Sequence, residues 1–441
     1  MRNIPARFML SAYRGLGALL TPCVPPYLAL RAARGKEDRK RLRERMGRTD
    51  RRRPEGPLIW LHAASVGETM ALVPMIEKIL SFRIHILLTT GTLASAQLVA
   101  TRFGKRLIHQ YVPLDLAGAM RRFLDHWRPD LALVCESEIW PMRIIELDRR
   151  KIPQILLNAH LSTRSFRSWQ KHKQIARDIF SRFSAVICQS EEDSARYKEL
   201  GAQRVRVSGN LKADVELPQS PEILRKYRAA IGARPTWAAI STHDGEELMA
   251  VRVHKILHKR YPDLLTIIVP RHIERIPAIE ETLRVQGCSY VRRSSGDLPQ
   301  PQTDILLGDT IGEMGLYLRL TEIAFVGKSL TAAGGHNPLE PALIGTAILS
   351  GPNIENFRET YRKLKENAAV QMVDDSTMLA GCVHHLLEHP ETRRRMIEAG
   401  RKTASGMTGA LKRSFEILKP FLQPLTVSAQ LNLAREDSHG Q

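Results

Sequence analysis

From Leu58 onward, short apolar runs alternate with stretches whose apolar positions recur every three or four residues. The runs predict strands at 58–63, 84–90, 106–111, 130–135, 154–157, 185–188 and 204–207. After the turn-forming stretch Leu217-Pro218-Gln219-Ser220-Pro221, a second series is predicted at 236–241, 264–270, 304–308, 323–327, 347–350 and 369–373. Apolar runs separated by helical patterns, instead of by hairpin turns, indicate mostly parallel sheets covered on both faces. Two doubly wound halves joined by a linker place ligands at the carboxyl ends of the strands, in a cleft between the halves. The expected domains are therefore 54–216 and 222–424, with residues 425–441 as an unstructured tail.

The N-terminal pattern differs. Residues 8–30 are mostly apolar but carry Arg14 and three prolines, Pro22, Pro25 and Pro26. The uncharged part, 15–30, is shorter than the roughly 20 residues a spanning helix needs. Phe8, Tyr13 and Tyr27 are aromatic types that favour bilayer interfaces. Residues 1–53 hold 15 Lys+Arg against 4 Asp+Glu, over half of the chain's net charge of +20. An apolar segment followed by a basic one reads as a membrane anchor, spanning or re-entrant, held against anionic lipids on the cytoplasmic face. A cleaved signal peptide is the rival, since Arg2 and Arg7 precede the apolar stretch. An arginine-rich RNA-binding arm would need aromatic stacking partners that do not accompany it.

At 441 residues, with 43% hydrophobic and 25% charged positions, the chain fits a folded protein of two domains. Its basic balance asks for an anionic partner. Cys23, Cys135, Cys188, Cys288 and Cys382 are scattered without CxxC pairs, so structural thiols in a reducing compartment are expected, with neither disulfides nor a zinc site.

Candidate chemistry gathers at the predicted strand ends. Ser65 and Glu68, after the first strand, have capping-box spacing, the reading that spacing alone favours; the sharper alternative makes Glu68 a carboxylate able to take a proton from a substrate hydroxyl. Glu136-Ser137-Glu138-Ile139-Trp140-Pro141 follows the fourth strand, and Gly209-Asn210-Leu211-Lys212-Ala213-Asp214 closes the first half with a lysine suited to an anion. In the second half, Asp244 and Glu247 again have capping-box spacing. Pro270-Arg271-His272 ends a strand with a guanidinium shaped to grip phosphate. Gly312-Glu313-Met314 links a strand to a helix. In Gly334-Gly335-His336-Asn337-Pro338-Leu339-Glu340 the pattern predicts a helix with Asn337 as N-cap, Pro338 at N1 and Glu340 at N3, its N-terminus facing a phosphate or ribose. No D-x-D, P-loop or Gly-x-Ser-x-Gly motif is present, and no His/Asp/Glu group has metal-ligand spacing. These features point to group transfer from a nucleotide-activated donor, with protein cations meeting the leaving phosphate.

HAASVGE, ESEIWP, GNLKAD, STHDGEE, PRH-x-x-R, GDT-x-GEM, FVGKSL and GGHNPLEPA, in this order over residues 10–420, resemble the bacterial 3-deoxy-D-manno-octulosonic acid (Kdo) transferases. The resemblance implies a GT-B fold of two Rossmann-like domains on the cytoplasmic face of the inner membrane. It implies inverting, metal-free and cofactor-free transfer of Kdo from CMP-Kdo to the lipid A precursor lipid IVA. By motif, Glu68 corresponds to the general base, and Glu138 and Lys212 to residues that stabilise the transition state. Pro270, Arg271, Gly312, Glu313, Met314, Asn337, Pro338, Leu339 and Glu340 match the CMP-holding segments. Anionic lipids are the further expected partner; nucleic acid and an obligate protein partner are not. Two positions depart from the pattern: His160 stands for arginine in Asn-Ala-Arg, and Lys328 for the second glycine of FVGGS. A sugar-nucleotide epimerase would share the fold without a lipid acceptor, and a membrane-tethered nucleic-acid-binding protein would share only the charge.

Overall fold

In the computed structural model, which describes residues 4–214 and 221–439, the apolar runs form two seven-stranded sheets, one in each of two compact units. The expected linker residues 217–220 lie outside the described residues. In the first unit the strands are β1 (Leu58–Ala63), β2 (His85–Thr90), β3 (Ile108–Tyr111), β4 (Leu131–Cys135), β5 (Gln154–Ala159), β6 (Ala185–Cys188) and β7 (Val205–Val207), in the order β3-β2-β1-β4-β5-β6-β7. In the second they are β8 (Thr236–Thr242), β9 (Leu265–Pro270), β10 (Tyr290–Arg292), β11 (Ile305–Leu307), β12 (Ile323–Val326), β13 (Ala347–Ser350) and β14 (Val370–Met372), in the order β10-β11-β9-β8-β12-β13-β14. Every pairing is parallel.

Central strands such as β1, β4 and β5 are buried at every position, which a sheet covered on both faces requires. On one face of the first sheet Ile59, Leu61, Leu133 and Ile155 pack with Leu72 and Ile76. On the other, Leu58, Trp60 and Ala132 pack with Phe123, Leu124 and Trp127. The order reverses between β1 and β4 in the first sheet and between β8 and β12 in the second. At such switch points the crossovers leave in opposite directions and the strand ends stay uncovered.

Two expectations need correction. Residues 425–441 were expected to lack structure, and the second domain to run to residue 424. Instead a helix spans Ala410–His439, and residues 408–439 belong to the first unit; residues 440 and 441 lie outside the described residues. Pro420 and Pro424 read as helix breakers in sequence. Here buried Leu418, Leu422 and Ala429 join the first unit's core, and that burial outweighs the two lost backbone hydrogen bonds. Asp214 fixes the start of this helix: its carboxylate accepts the Gly409 N–H at 2.6 Å and the Leu411 N–H. The edge strand β10, exposed at Tyr290, was not among the predicted runs because it carries only two apolar residues.

At the N-terminus, the helices Ile4–Leu20 and Val24–Ala33 leave Phe8, Leu16, Leu19, Tyr27 and Leu30 exposed, while Leu10 packs against the first unit. No helix among the described residues is long and apolar enough to cross a membrane. The basic stretch that follows is not a free arm throughout. Arg45 is buried, paired with Glu37 at 2.9 Å, and donates to the carbonyls of Gly91 and Val112. Arg34, Lys36, Arg39, Lys40, Arg43, Arg48, Arg51 and Arg52 remain exposed.

Removing side-chain volume from the returning helix should be felt in the first unit. Leu418→Ala is expected to cost about 2–5 kcal/mol of that unit's stability, read by denaturant unfolding. A loss under half a kcal/mol would mean that the helix is not part of the core.

Candidate active site

At the first switch point, β1 runs into the helix Val66–Leu80 through Ala64 and Ser65. Ser65 is the N-cap and accepts the Glu68 N–H at 3.3 Å. The Glu68 carboxylate returns to the loop: one oxygen accepts the Ala64 N–H at 2.8 Å, the other the Ser65 hydroxyl at 2.9 Å. The reciprocal cap read from S-x-x-E therefore forms, shifted by one backbone N–H. Gly91 permits the loop's position, since a Cβ there would lie 2.7 Å from the Ala64 carbonyl oxygen.

Glu68 is nonetheless not a comfortable carboxylate. Burial, and the charge of Glu136 nearby, raise its pKa to about 7 against the bonds from Ala64 and Ser65, which oppose the rise. A cap that only stabilised a helix would have its carboxylate drawn below 4.5. A half-ionised carboxylate at neutral pH is suited to receiving a proton.

Glu136 and Glu138 follow β4, the neighbouring strand. Glu136 has a left-handed backbone, φ 56°, and its carboxylate pairs with the Lys212 ammonium at 2.5 Å. Burial would lower the Lys212 pKa, but Glu136 draws it up, so the ammonium persists. Lys212 sits in the short helix Leu211–Asp214, tied to β5 where Asn158 Oδ1 accepts the Leu211 N–H at 2.9 Å.

Glu138 is the electrostatic opposite of Glu68. Burial would raise its pKa, but hydrogen bonds from His62 and Trp140, with the charge of Arg143, bring it down to about 2. His62 Nε2 lies 3.4 Å from Glu138 Oε2. Burial lowers the pKa of His62 itself, while its Nδ1 lies 3.0 Å from both the carbonyl oxygen and the hydroxyl of Thr89. The buried Arg143 guanidinium donates to the Glu138 carbonyl. Asp115 holds the start of the helix Pro141–Arg149 by accepting the N–H groups of Met142 and Arg143, and accepts the Tyr13 hydroxyl at 3.1 Å. Two neighbouring carboxylates with pKa values pushed apart have the character of an acid–base group and a fixed anion.

His160 stands at the end of β5, paired with Asp193 at 3.2 Å. Burial would lower its pKa, but that carboxylate raises it.

In the second unit, Glu246 opens the helix Glu246–His258 after β8 and is almost fully buried. Its carboxylate accepts the N–H groups of Lys328, Ser329 and Leu330 at 2.7, 3.0 and 3.1 Å, and of His243 at 2.9 Å. It thereby holds the FVGKSL loop. Gly327 is required there, because a Cβ would lie 2.6 Å from the Ser241 carbonyl oxygen and 2.8 Å from Glu246 Oε2. The capping box read from Asp244 and Glu247 does not form. Gly245, at φ 87°, is the N-cap, while Arg275 binds Asp244 and Glu247, both at 2.7 Å.

Pro270 ends β9 and the exposed Arg271 follows it. Among the described residues no hydrogen bond or ion pair engages the Arg271 guanidinium. His243 and His336 are joined ring to ring at 3.0 Å, with His272 packed edge-on against His243. Burial, reinforced by the charges of Arg271 and Lys328, lowers His336 to about 3, so it is neutral. Asn337 is not an N-cap: the helix begins at Leu339, with Pro338 at the cap position and Asn337 Oδ1 accepting the Leu339 N–H at 3.1 Å. Glu340 makes no reciprocal cap; burial raises its pKa against the opposing charge of Arg271. The helix Leu339–Ile344 is under two turns, so an anion here is met by side-chain cations more than by a helix dipole. Gly312, at φ 85°, has open space beside it, Met314 opens a one-turn helix, and Glu313 is engaged by Arg293 and Thr310.

The two constellations share a backbone signature. Glu136, Asn158, Ser241 and Lys328, all at carboxyl ends of central strands, have left-handed backbones without being glycine. Such conformations cost about 1–3 kcal/mol each and gather at functional sites.

Pro270, Arg271 and Glu138 lie at strand ends, and the other predicted site residues lie in the loops and helices that follow a strand. Glu68, Glu138 and Lys212 are gathered in the first; Arg271 and Glu340 are electrostatically connected in the second. Glu136 stood among the strand-end carboxylates without a role of its own; His62, Asp115, His243, Glu246 and His336 had none, although all but Asp115 lie in the quoted motifs.

A family model described as "3-Deoxy-D-manno-octulosonic-acid transferase (kdotransferase)" matches residues 40–215. The 3-deoxy-D-manno-octulosonic acid transferase of Haemophilus influenzae is 35% identical over 423 residues, covering 93% of this chain and 98% of its own length. Among solved structures, a glycosyltransferase from Rickettsia africae has a TM-score of 0.58 at 13% identity, over 84% of this chain and 99% of its own. UDP-GlcNAc 2-epimerase from Neisseria meningitidis has 0.60 at 15%, over 82% and 100%. At such identities these two likenesses show the fold alone.

The raised pKa of Glu68 has a sign that unfolding can read. Its folded value, about 7, exceeds the ordinary 4.5, so the group's stabilisation is full below pH 4.5 and lost as pH rises through 7. Glu68→Gln should therefore gain about 2–3 kcal/mol relative to wild type on going from pH 5 to pH 8. A difference that stays constant with pH would mean that Glu68 is an ordinary cap.

Proposed function

The chain belongs to the family of 3-deoxy-D-manno-octulosonic acid transferases and is a Kdo glycosyltransferase; from that premise we propose that it moves Kdo from CMP-Kdo to a hydroxyl of lipid IVA, with inversion and with Glu68 as the base. The observation that carries this reading is the buried Glu68 with its pKa near 7, at the switch point beside the Glu136–Lys212 pair.

The acceptor hydroxyl oxygen attacks the anomeric carbon of Kdo as Glu68 takes its proton. The bond from that carbon to the phosphate oxygen breaks, and the electron pair leaves with CMP. Positive charge developing on the sugar favours a fixed anion, which Glu138 provides because His62, Trp140 and Arg143 hold it ionised. Lys212 keeps its proton beside Glu136, offering a cation to negative charge that develops as the bond breaks. In the second unit Arg271 and Lys328 stand ready for the donor's phosphate and sugar carboxylate. The reading assigns no metal and no cofactor to the step.

The acceptor is a lipid, and the N-terminal helices offer what a bilayer surface takes. Exposed Phe8, Leu16, Leu19 and Leu30 suit the acyl boundary, and the exposed arginines and lysines between 34 and 52 suit anionic headgroups. We place the chain at the cytoplasmic face of the inner membrane, inserted in one leaflet.

Purified protein with CMP-Kdo and lipid IVA should give a product heavier by Kdo, and its mass counts the sugars added. Glu68→Gln should lower kcat at least a hundredfold while CMP binding persists. Arg271→Ala and Lys328→Gly should raise KM for the donor about tenfold with less change in kcat. No product from wild type that still binds CMP would contradict the acceptor assignment. Full activity of Glu68→Gln would remove the base.

Vesicle sedimentation tests the location. Wild type should pellet with anionic vesicles, and Phe8→Ser with Leu16→Ser and Leu19→Ser should stay in the supernatant. Equal pelleting of both would place the membrane contact elsewhere.

A further inference from the structure

The fold assembles a metal-like donor set away from the strand ends described above. We propose that His254, His258 and Asp304 form a binding site for a divalent transition metal of the zinc class. Among the described residues these three alone bring one ligand atom each from three His, Cys, Asp or Glu side chains within 4.8 Å of one another. His254 and His258 are one helical turn apart on the helix Glu246–His258, so their imidazoles share a face; the ring centroids are 5.4 Å apart. Asp304 immediately precedes β11. The group therefore sits at the amino ends of β9 and β11, whereas Pro270 and Arg271 mark the carboxyl end of β9.

The supporting bonds aim the donors. The hydroxyl of fully buried Thr266, on β9, lies 2.9 Å from His254 Nδ1, which leaves Nε2 toward Asp304. Asp304 Oδ2 accepts both the Ser289 N–H at 2.8 Å and the Ser289 hydroxyl at 2.9 Å, leaving Oδ1 toward His254. An imidazole whose second nitrogen is engaged, and a carboxylate whose second oxygen is engaged, are the outer bonds that metal ligands usually carry. His254 Nε2 and Asp304 Oδ1 are 3.4 Å apart. Two ligands each about 2.0–2.1 Å from a tetrahedral ion are roughly 3.4 Å apart. Side-chain rotation of His258 would bring in the third donor.

Two imidazoles with one carboxylate favour zinc, cobalt or nickel over magnesium or calcium, which prefer oxygen alone. The positive charge of Arg234 is felt at His254 and opposes a cation there. Its guanidinium is committed to the carbonyl oxygens of Asp263, Gln300 and Thr303 at 2.7, 2.9 and 2.6 Å. A bound ion would fasten the helix to β9 and β11. The first residue of that helix, Glu246, holds the Lys328 loop, so occupancy would steady the element that shapes the second unit's strand-end site.

The test uses untagged full-length protein in detergent, stripped with EDTA and titrated with Co2+. Wild type should take up one ion per chain, with visible absorption of tetrahedral intensity that Zn2+ abolishes and Mg2+ does not. His258→Ala and Asp304→Asn should each weaken binding at least tenfold while circular dichroism shows an intact fold. His385→Ala, which removes a different histidine pair, should leave binding unchanged. Absence of saturable Co2+ binding by wild type would overturn the proposal. So would equal affinity in His258→Ala, which would assign the ion to other histidines.

Discussion

Where β1 and β4 lie side by side, the chain leaves one strand toward β2 and the other toward β5, and no crossover can cover both ends. Everything the first unit offers to chemistry depends on that contact. It places Glu68, from the end of one strand, near Glu136 and Glu138, from the end of the other. Carboxylates on adjacent strands of a covered sheet share a space from which water is largely withdrawn, and their charges are felt strongly there. The fold settles the conflict unequally. Glu136 is paired with Lys212, Glu138 is surrounded by donors, and at Glu68 burial and a like charge outweigh the bonds from Ala64 and Ser65. The destabilisation concentrated on Glu68 raises its pKa to about 7, and its place in the helix cap holds it there. The second unit repeats the geometry with the opposite emphasis. The switch point between β8 and β12 gathers Lys328, three histidines and, from β9, Arg271. One buried carboxylate, Glu246, organises the loop through backbone N–H groups and leaves the side chains of half-buried Lys328 and exposed Arg271 for an anion.

Thirteen of the fourteen strands were legible because a covered parallel sheet demands continuous apolar runs, and Leu131–Cys135 or Ile323–Val326 can hardly be anything else. β10 was not, since Tyr290–Arg292 is an edge whose exposure removes that demand. The C-terminal helix was hidden by Pro420 and Pro424. Local chemistry argues against a helix there, and only distant burial of Leu418 and Leu422 reverses the argument. Return of residues 408–439 to the first unit leaves no local trace at all.

Within the site, S-x-x-E foretold the cap that forms, and the carboxylate that closes it is the one proposed as the base. Other spacings misled. Asp244 and Glu247 looked like a cap, but Gly245 begins the helix and Arg275 claims both carboxylates. Asn337 serves a turn one residue earlier than a cap would. The Glu136–Lys212 pair and the grouping of His254, His258 and Asp304 join residues far apart in sequence. Spacing along the chain carries no information about such partners until the sheet order is known.

The central claim is that a carboxylate with a pKa near 7 takes the proton from the acceptor. The most direct measurement is kcat/KM for the acceptor between pH 5 and 9, with wild type and Glu68→Gln compared. The account predicts a wild-type rate that falls tenfold per pH unit on the acid side with a midpoint near 7, and a low Glu68→Gln rate without that limb. A wild-type rate constant from pH 6 to 8, or the same limb persisting in Glu68→Gln, would contradict it.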